Sequence, residues 1–315
     1  MAHMSLPTPL LDRARALKAR LKLWNAELDR LRFPAYYRGR LSPDEANLLL
    51  YSRLRQGVPV MAGKLGSVES RLLGEHRYGR GWPGQFSDKT RKQTHQNAGI
   101  FPVDDLSLAA AAEELWTALQ SLELLGCWSV EYQARLFMDL PQLPQRCEMP
   151  DLEPFFFPLP WTAALEGKRV LVLHPFRRSL EQQWCRRQEL FPGRFVLPTF
   201  EPLFVATPMT VRGAAHGYSS WQSALDQLWQ QVQGIRFDVA LLGCGAYSLP
   251  LAARIRGLGR SAIHLGGSLQ LLFGVFGRRW ERFDSQRALL NSAWIRPLPE
   301  DRPSSYQAVE DGCYW

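Results

Sequence analysis

The segment from Asp238 to Gly274 constrains the fold more than any other part of the chain. Its first apolar run, residues 239–242, ends in a glycine turn, Gly243–Tyr247. After a helix-like stretch, a second apolar run at 262–265 ends in the pair Gly266-Gly267. This alternation predicts parallel strands that are joined by helices and end in glycine turns. Because the N–H groups of helix N-termini point toward that edge, we expect it to bind an anion such as a nucleotide phosphate.

Two earlier segments show the same strand-to-turn pattern, at 58–67 and 169–176. The predicted strand-to-helix turns lie near Lys64, His174, Cys244 and Gly266. In an open parallel sheet such turns share the carboxyl edge, where ligands bind. The sequence therefore predicts an α/β fold, with a Rossmann-like, mostly parallel sheet flanked by helices and a site where these turns converge.

The chain is predicted to contain an N-terminal helical extension, residues 1–56, and a single α/β catalytic domain, residues 57–315. A proline-rich connector at about 141–160 is the best boundary candidate. Residues 77–101, rich in Gly, Lys, Gln and Asn, are predicted to form a loop or lid over the site.

Composition limits the function classes. The 315 residues carry a formal charge of +8, and the five cysteines form no CxxC pair. No stretch approaches the ~18 apolar residues of a membrane span, and the start does not resemble a signal peptide, so a cytoplasmic protein is expected. The basic amphipathic stretch 10–31 is predicted to pack on the domain, with peripheral contact at the inner face of the membrane as the alternative. No nucleic-acid-binding motif spacing is present, so nucleic acid is not an expected partner.

Three segments resemble motifs of the GT-D-class bacterial glycosyltransferases. Residues 62–69, AGKLGSVE, are similar to a strand-turn motif that usually reads Arg-Phe-Gly-Asp-Gly-Glu, and residues 242–252 are similar to the second glycine turn of that class. Residues 259–267 resemble its next strand. The resemblance implies a GT-D-like fold and a nucleotide-sugar-dependent transferase. It further implies a glycan or lipid-linked glycan acceptor, in bacterial surface polysaccharide or glycoprotein biosynthesis.

The resemblance also implies a Mg²⁺ or Mn²⁺ ion near the Asp and Glu of the first motif. Here Glu69 is kept, but Ser67 stands in the Asp position. Because a hard divalent cation prefers several oxygen ligands, this replacement weakens the expectation of a metal site, for which Glu69 is the remaining ligand.

Catalytic roles are predicted for Glu69 and His174, as the groups that would serve the acceptor hydroxyl. Each has a structural alternative, since an acidic residue in a first helical turn complements the helix dipole and a buried histidine satisfies backbone groups. Binding of the donor would use helix N-terminal N–H groups, cations, an amide and an aromatic ring that stacks on the base. The predicted donor-binding residues are Lys64, Gly66, Ser67, Asn97, Gly243, Gly245, Ala246, Tyr247, His264, Gly266, Gly267 and Arg278.

Three alternatives to a glycosyltransferase remain open at this point. They are a non-catalytic nucleotide- or phosphate-binding α/β protein, a methyltransferase, and a thiol hydrolase that uses Cys244 at a helix N-terminus. A dinucleotide site is not favoured, because Ser248 stands at the sixth position of the GxGxxG pattern and no acidic residue ends the next strand. Neither NAD nor FAD is therefore expected.

Overall fold

The computed structural model describes residues 24, 27–79, 85–214, 216–303, 306–308 and 310–315. Within these residues the core is one seven-stranded, all-parallel sheet. Its strands are β1 (Met61–Gly63), β2 (Leu124–Cys127), β3 (Gln145–Glu148), β4 (Arg169–His174), β5 (Glu201–Ala206), β6 (Val239–Leu242) and β7 (Ser261–His264). The predicted α/β class with a Rossmann-like sheet is confirmed.

Helices flank the sheet on both sides. In chain order they are α1 (Pro34–Tyr37), α2 (Pro43–Gln56), α3 (Ser67–Tyr78), α4 (Asp88–Gln93), α5 (Asp105–Leu119), α6 (Gln133–Met138), α7 (Arg177–Trp184), α8 (Arg187–Leu190), α9 (Trp221–Gln233), α10 (Ser248–Gly257), α11 (Ser268–Leu272) and α12 (Asp284–Arg287). The start of α2 is as the sequence predicts, because Ser42 and Glu45 form a capping box.

The strand order, β3-β2-β1-β7-β6-β4-β5, contains a topological switch beside β1. From β1 the chain moves outward through β2 to β3 on one side, and its last strand, β7, returns to pair with β1 on the other. Ligands of open α/β sheets bind in the crevice outside the carboxyl ends of the strands at such a switch. The crevice between β1 and β7 is therefore the first place to search for a site.

Alternate strand residues divide the core into two layers. Met61 and Leu171 belong to the layer beneath α3, α5, α9 and α10, whereas Ala62 and Val172 belong to the layer beneath α2, α7 and α11. The central strands are buried on both faces, which is why they read in the sequence as short uninterrupted apolar runs.

Three strands differ from the sequence prediction. The apolar pattern of residues 107–125 predicts a single helix, but this helix ends at Leu119 and residues 124–127 form β2. The apolar residues 195–197 predict a strand, but the strand in this region, β5, begins at Glu201. Residues 145–148, which fall within the predicted connector, form β3 beside β2.

The region predicted as a loop or lid is mostly helical. Helix α3 continues to Tyr78, and α4 is followed directly by a π-helix, Thr94–Ala98. Residues 80–84 lie outside the described residues. Most of the predicted helix at 10–31 also lies outside them, although residues 27–32 are helical. In the part of the chain that the structure describes, we find no helix with the length and apolar character of a membrane span.

Candidate functional site

Lys64 lies at the centre of the crevice between β1 and β7. It follows the last residue of β1, and its half-buried side chain runs across Gly266 after β7. A Cβ at Gly266 would lie 2.8 Å from Lys64 Cε and 3.3 Å from Nζ, and Gly266 has a φ of +58°. Only glycine combines that backbone conformation with room for the lysine. The glycine turn thus positions a cation at the switch point.

The ammonium group of Lys64 lies next to a methionine sulfur. Its Nζ lies 3.7 Å from Met149 Sδ, and among the described residues no carboxylate oxygen lies within 4 Å of it. Burial lowers the pKa of Lys64, the charges of Glu153 and Glu69 act in the opposite direction, and Arg279 lowers it further. Lys64 is therefore a cation held among charges that do not pair with it directly, as an anion-binding group would be.

Glu153 is a site carboxylate that the sequence analysis missed. It is 6% exposed, and it accepts hydrogen bonds from Ser268 Oγ and, at 3.5 Å, from Gln286 Nε2. Burial raises the pKa of Glu153, whereas the Ser268 bond and the charge of Lys64 oppose that rise. A carboxylate with a raised pKa is suited to accept a proton. Its position within the predicted connector gave no sequence signal for this role.

The Glu69 carboxylate folds back over the N-terminus of its own helix, α3. A Cβ at Gly66 would lie 2.0 Å from Glu69 Oε2. In this position the carboxylate complements the dipole of α3, which is the structural alternative raised by the sequence. Glu69 also contributes to the electrostatic environment of Lys64, so it still borders the crevice.

The residues do not fit a Mg²⁺ or Mn²⁺ ion that the protein itself would hold. Within the described ranges, no group of three or more His, Cys, Asp or Glu side chains is arranged to bind a metal. Ser67 is exposed, Glu69 faces its own helix, and the ammonium of Lys64 occupies the same crevice. A hard cation would need more oxygen ligands than this arrangement offers.

His264 ends β7 next to Lys64 and is 7% exposed. Its Nδ1 lies 3.3 Å from both the Leu242 carbonyl oxygen and the Gly266 nitrogen. Burial, and secondarily the charge of Lys64, lower the pKa of His264 to about 3. The ring is therefore neutral near pH 7, and its Nδ1 contacts backbone groups.

His174 ends β4 and is 3% exposed. Its Nδ1 accepts a hydrogen bond from the Phe176 N–H at 2.9 Å, which leaves the proton on Nε2. Burial lowers the pKa of His174 to about 3, so the imidazole is a poor base near neutral pH. The structure gives no support to the predicted catalytic role and favours the structural alternative.

We expect His174 to make the fold sensitive to acid. The unfolded chain binds a proton near pH 6.5, but the folded protein does so only near pH 3, so the free energy of unfolding falls as the pH decreases through this window. The His174→Asn variant keeps an acceptor for Phe176 N–H and should lose about 2 kcal/mol less than the parent between pH 6.5 and 5. Urea denaturation at both pH values measures this; the exposed His216→Asn variant is the control, and an equal acid loss in all three proteins would contradict the expectation.

Cys244 lacks the properties of a nucleophilic thiol. It is 5% exposed, its sulfur lies 3.3 Å from Ser248 Oγ, and burial raises its pKa to about 12. Reactive cysteines instead have lowered pKa values and partial exposure. This argues against the thiol-hydrolase alternative.

The turn after β6 contributes core residues. Ala246 is buried, and Tyr247 donates or accepts a hydrogen bond with Thr210 at 2.7 Å while its ring stacks on Trp221. Tyr247 is thus not available to stack on a nucleotide base, contrary to the prediction. Gly245 has a φ of +58° with open space around its Cβ position, so the structure gives a conformational reason for this glycine.

An aromatic wall stands beside Gly267. Trp280 Cζ2 and Tyr314 Cε1 each lie 3.2 Å from the position of a Cβ at Gly267. The Tyr314 hydroxyl accepts a hydrogen bond from Arg279 Nη1 at 2.6 Å. The sequence offers the adjacent Arg278 and Arg279, with Lys64, as candidate diphosphate cations; Arg278 is exposed, and it is Arg279 whose charge reaches Lys64. Both arginines lie in one 3₁₀ turn, Arg278–Trp280. The sequence does not indicate which of the two side chains points toward the crevice.

Asn97 is exposed in the π-helix after α4. Hydrogen bonds connect this region to the turn after β6, because the Thr210 hydroxyl bonds both the Gly99 carbonyl oxygen and the Tyr247 hydroxyl. The structure thus brings together Lys64, Glu69, His264, Gly266 and Gly267 from the predicted set. Arg279, a candidate cation beside Arg278 in the sequence, joins them, and so do Tyr314 and Glu153, the carboxylate that the sequence did not reveal.

Comparison with known proteins gives a distant structural likeness. No family model and no curated protein matches the sequence. Two solved structures of the domain of unknown function 1792 are similar at 12% identity and a TM-score of 0.43, over 83% of this chain and 91% of theirs. One is a selenomethionine-substituted form, and the other is described as having a distinct glycosyltransferase fold. A likeness of this size does not establish a function, which has to come from the residues of the site.

Proposed function

We propose that this protein is a glycosyltransferase that uses a nucleotide-activated sugar. One observation carries the proposal: the topological switch between β1 and β7 gathers Lys64, Arg279 and the buried carboxylate of Glu153. Cations beside a carboxylate with a raised pKa are the groups that transfer from a diphosphate to a hydroxyl requires.

In this proposal Lys64 and Arg279 stabilise the leaving diphosphate. The acceptor oxygen forms a bond to the anomeric carbon, the bond from that carbon to the diphosphate breaks, and the electron pair leaves with the diphosphate. The acceptor proton passes to a carboxylate, for which Glu153 is the best placed because burial raises its pKa. Glu69 is the second candidate for that role.

In this proposal the Tyr314 ring contacts a sugar or base beside Gly267. Tyr314 is half-buried and directs Cε1 toward this glycine, whereas Trp280 is buried and packs edge-on against the Tyr314 ring. Aromatic rings bind the apolar faces of sugars and bases. A glycan or lipid-linked glycan acceptor and a role in surface polysaccharide or glycoprotein assembly complete the proposal, as the motif resemblance implies. Cytoplasmic placement is proposed from the composition, and peripheral membrane contact from the basic amphipathic stretch 10–31.

We expect nucleoside diphosphates to stabilise the protein without a divalent cation. A ligand at about 100 times its Kd adds about 2.7 kcal/mol to the free energy of unfolding. A thermal-shift screen of nucleoside diphosphates and nucleotide sugars, in EDTA and in Mg²⁺ or Mn²⁺, measures this. We expect one nucleoside class to raise the Tm in EDTA, because Lys64 and Arg279 supply the positive charge.

The screen separates the remaining candidates. A Tm increase that needs Mg²⁺ or Mn²⁺ would contradict the cation-independent binding mode. Stabilisation by a nucleotide sugar without turnover in the presence of any acceptor would favour a non-catalytic binding protein. The absence of any Tm increase across the panel would contradict a nucleotide-dependent function altogether.

A further inference from the structure

A second, arginine-rich pocket lies beside the proposed donor site. It has a volume of about 340 Å³ and is lined by Arg278, Arg279, Arg282, Asp311 and Cys313. Three of these residues carry a guanidinium group, and one carries a carboxylate. The pocket therefore concentrates positive charge, and we call these five residues the arginine pocket.

Two of its arginines form no ion pair with an acidic side chain in the part of the chain that the structure describes. Within the described ranges, neither Arg278 nor Arg282 has a carboxylate oxygen within 4 Å, and both are exposed. The Arg282 guanidinium lies over the Phe283 ring, 4.9 Å from its centroid. By contrast, the neighbouring arginines 287 and 296 each pair with a carboxylate. Unpaired guanidinium groups around a concave surface are suited to bind phosphate through bidentate hydrogen bonds.

The arginine pocket is continuous with the crevice through Tyr314. Arg279 belongs to the pocket and donates to the Tyr314 hydroxyl, and Tyr314 Cε1, the ring carbon next to the one that carries this hydroxyl, lies 3.2 Å from the position of a Cβ at Gly267. The charge of Arg279 also acts on Lys64. One tyrosine ring thus separates the arginine pocket from the place where the donor would react.

We propose that the arginine pocket binds a phosphate monoester carried by the acceptor. The charge favours a dianion, the guanidinium groups offer paired donors, and the adjacency to Gly267 would place the rest of the acceptor beside the donor sugar. The assignment to the acceptor rests on the proposed function, but the binding of a phosphate monoester does not. Asp311 at the rim would select against more highly charged ligands by repulsion.

The test uses the double variant Arg278→Gln/Arg282→Gln and a soluble phosphate monoester, glycerol 3-phosphate. Calorimetric titration should show binding to the parent and a Kd at least about tenfold weaker in the variant. The matched control is Arg55→Gln/Arg236→Gln, which removes the same charge from exposed positions before β1 and β6, at the opposite edge of the sheet. We expect this control to bind as the parent does.

A second arm identifies the source of the phosphate. Flotation with phosphatidylcholine vesicles, with and without phosphatidic acid, presents the same monoester on a lipid. Binding that depends on phosphatidic acid and is lost in the Arg278/Arg282 variant assigns the pocket to a lipid-borne phosphate. Binding of glycerol 3-phosphate without vesicle binding assigns it to a soluble one.

Three results would overturn the proposal. They are an absence of binding to both probes by the parent, equal weakening in both double variants, and loss of nucleoside diphosphate binding in the Arg278/Arg282 variant, which would place the pocket in the donor site. Failure of the proposed function looks different. In that case no nucleoside diphosphate binds the parent, while glycerol 3-phosphate binding still depends on Arg278 and Arg282.

Discussion

Replacement of Lys64 by methionine is expected to weaken nucleoside diphosphate binding by about a hundredfold, since a charge-assisted contact to phosphate contributes about 3 kcal/mol. Methionine keeps the length of the side chain and removes only the ammonium group. The van der Waals contact across Gly266 is therefore retained, and so is the neighbourhood of Met149. The change in binding should report the charge alone.

The stability of the Lys64→Met variant should change little. Lys64 is half-buried and makes no direct ion pair among the described residues, so its removal deletes a partly desolvated charge without breaking a short contact. Glu153 keeps its hydrogen bonds from Ser268 and Gln286. We expect the free energy of unfolding to stay within about 1 kcal/mol of the parent.

Calorimetric titration with the nucleoside diphosphate selected by the thermal-shift screen measures the affinity, and urea denaturation measures the stability. The Lys168→Met variant is the matched control, because Lys168 is also half-buried but lies before β4, at the opposite edge of the sheet. Parent-like affinity in the Lys64 variant would remove Lys64 from the site. Equal weakening in both variants would mean that net charge, and not position, controls binding.

The Gly243→Ala variant is expected to lose about 3 kcal/mol of its free energy of unfolding, and the transition should stay cooperative. A Cβ at Gly243 would lie 2.6 Å from His174 Cδ2, 2.8 Å from the Gly266 carbonyl oxygen and 3.0 Å from Leu269 Cβ. The His174 ring is buried and held by its bond to Phe176 N–H, and the Gly266 oxygen cannot move unless the backbone of the turn after β7 moves with it. An added methyl group at Gly243 would therefore clash with three neighbours, His174, Gly266 and Leu269.

Gly257→Ala is the matched control for this prediction. Apart from its chain neighbours and the backbone of its own helix, no atom of the described residues lies within 4 Å of a Cβ at Gly257, which ends α10. The substitution of alanine there should be neutral or stabilising. Urea denaturation of both variants measures the difference. A loss below about 1 kcal/mol for Gly243→Ala would show that β4, β6 and β7 adjust more easily than their packing indicates.

The sequence predicts those strands in which an apolar run is followed directly by a turn motif. Strands β4, β6 and β7 are apolar runs followed by a turn, and their positions are confirmed within a residue or two. Strand β2 was missed because Leu124 and Leu125 continue the apolar pattern of α5, and a short apolar run does not distinguish the end of a helix from a strand. Strand β5 was missed because Pro202 argues against a strand, although an edge strand tolerates it.

Some residues of the candidate site could likewise be predicted from the sequence, and others could not. Lys64, Gly266 and Gly267 follow strands that the sequence reveals, so their convergence could be predicted from topology. Glu153 and Arg279 lie in 3₁₀ turns and connecting segments, and only the tertiary fold brings them to Lys64. Burial decides the rest: Tyr247 and His174 have residue types suited to a ligand, but the structure places both in the core.

The position of Glu69 has a consequence for any anion that approaches α3. The N-terminus of this helix already holds a negative group, which is attached to the helix itself and lies over Gly66. An incoming phosphate would therefore exchange with a tethered competitor, and its apparent affinity would reflect the difference between two interactions. Binding of an anion at this end of α3 would therefore be coupled to a change in the position of the Glu69 carboxylate beside the crevice.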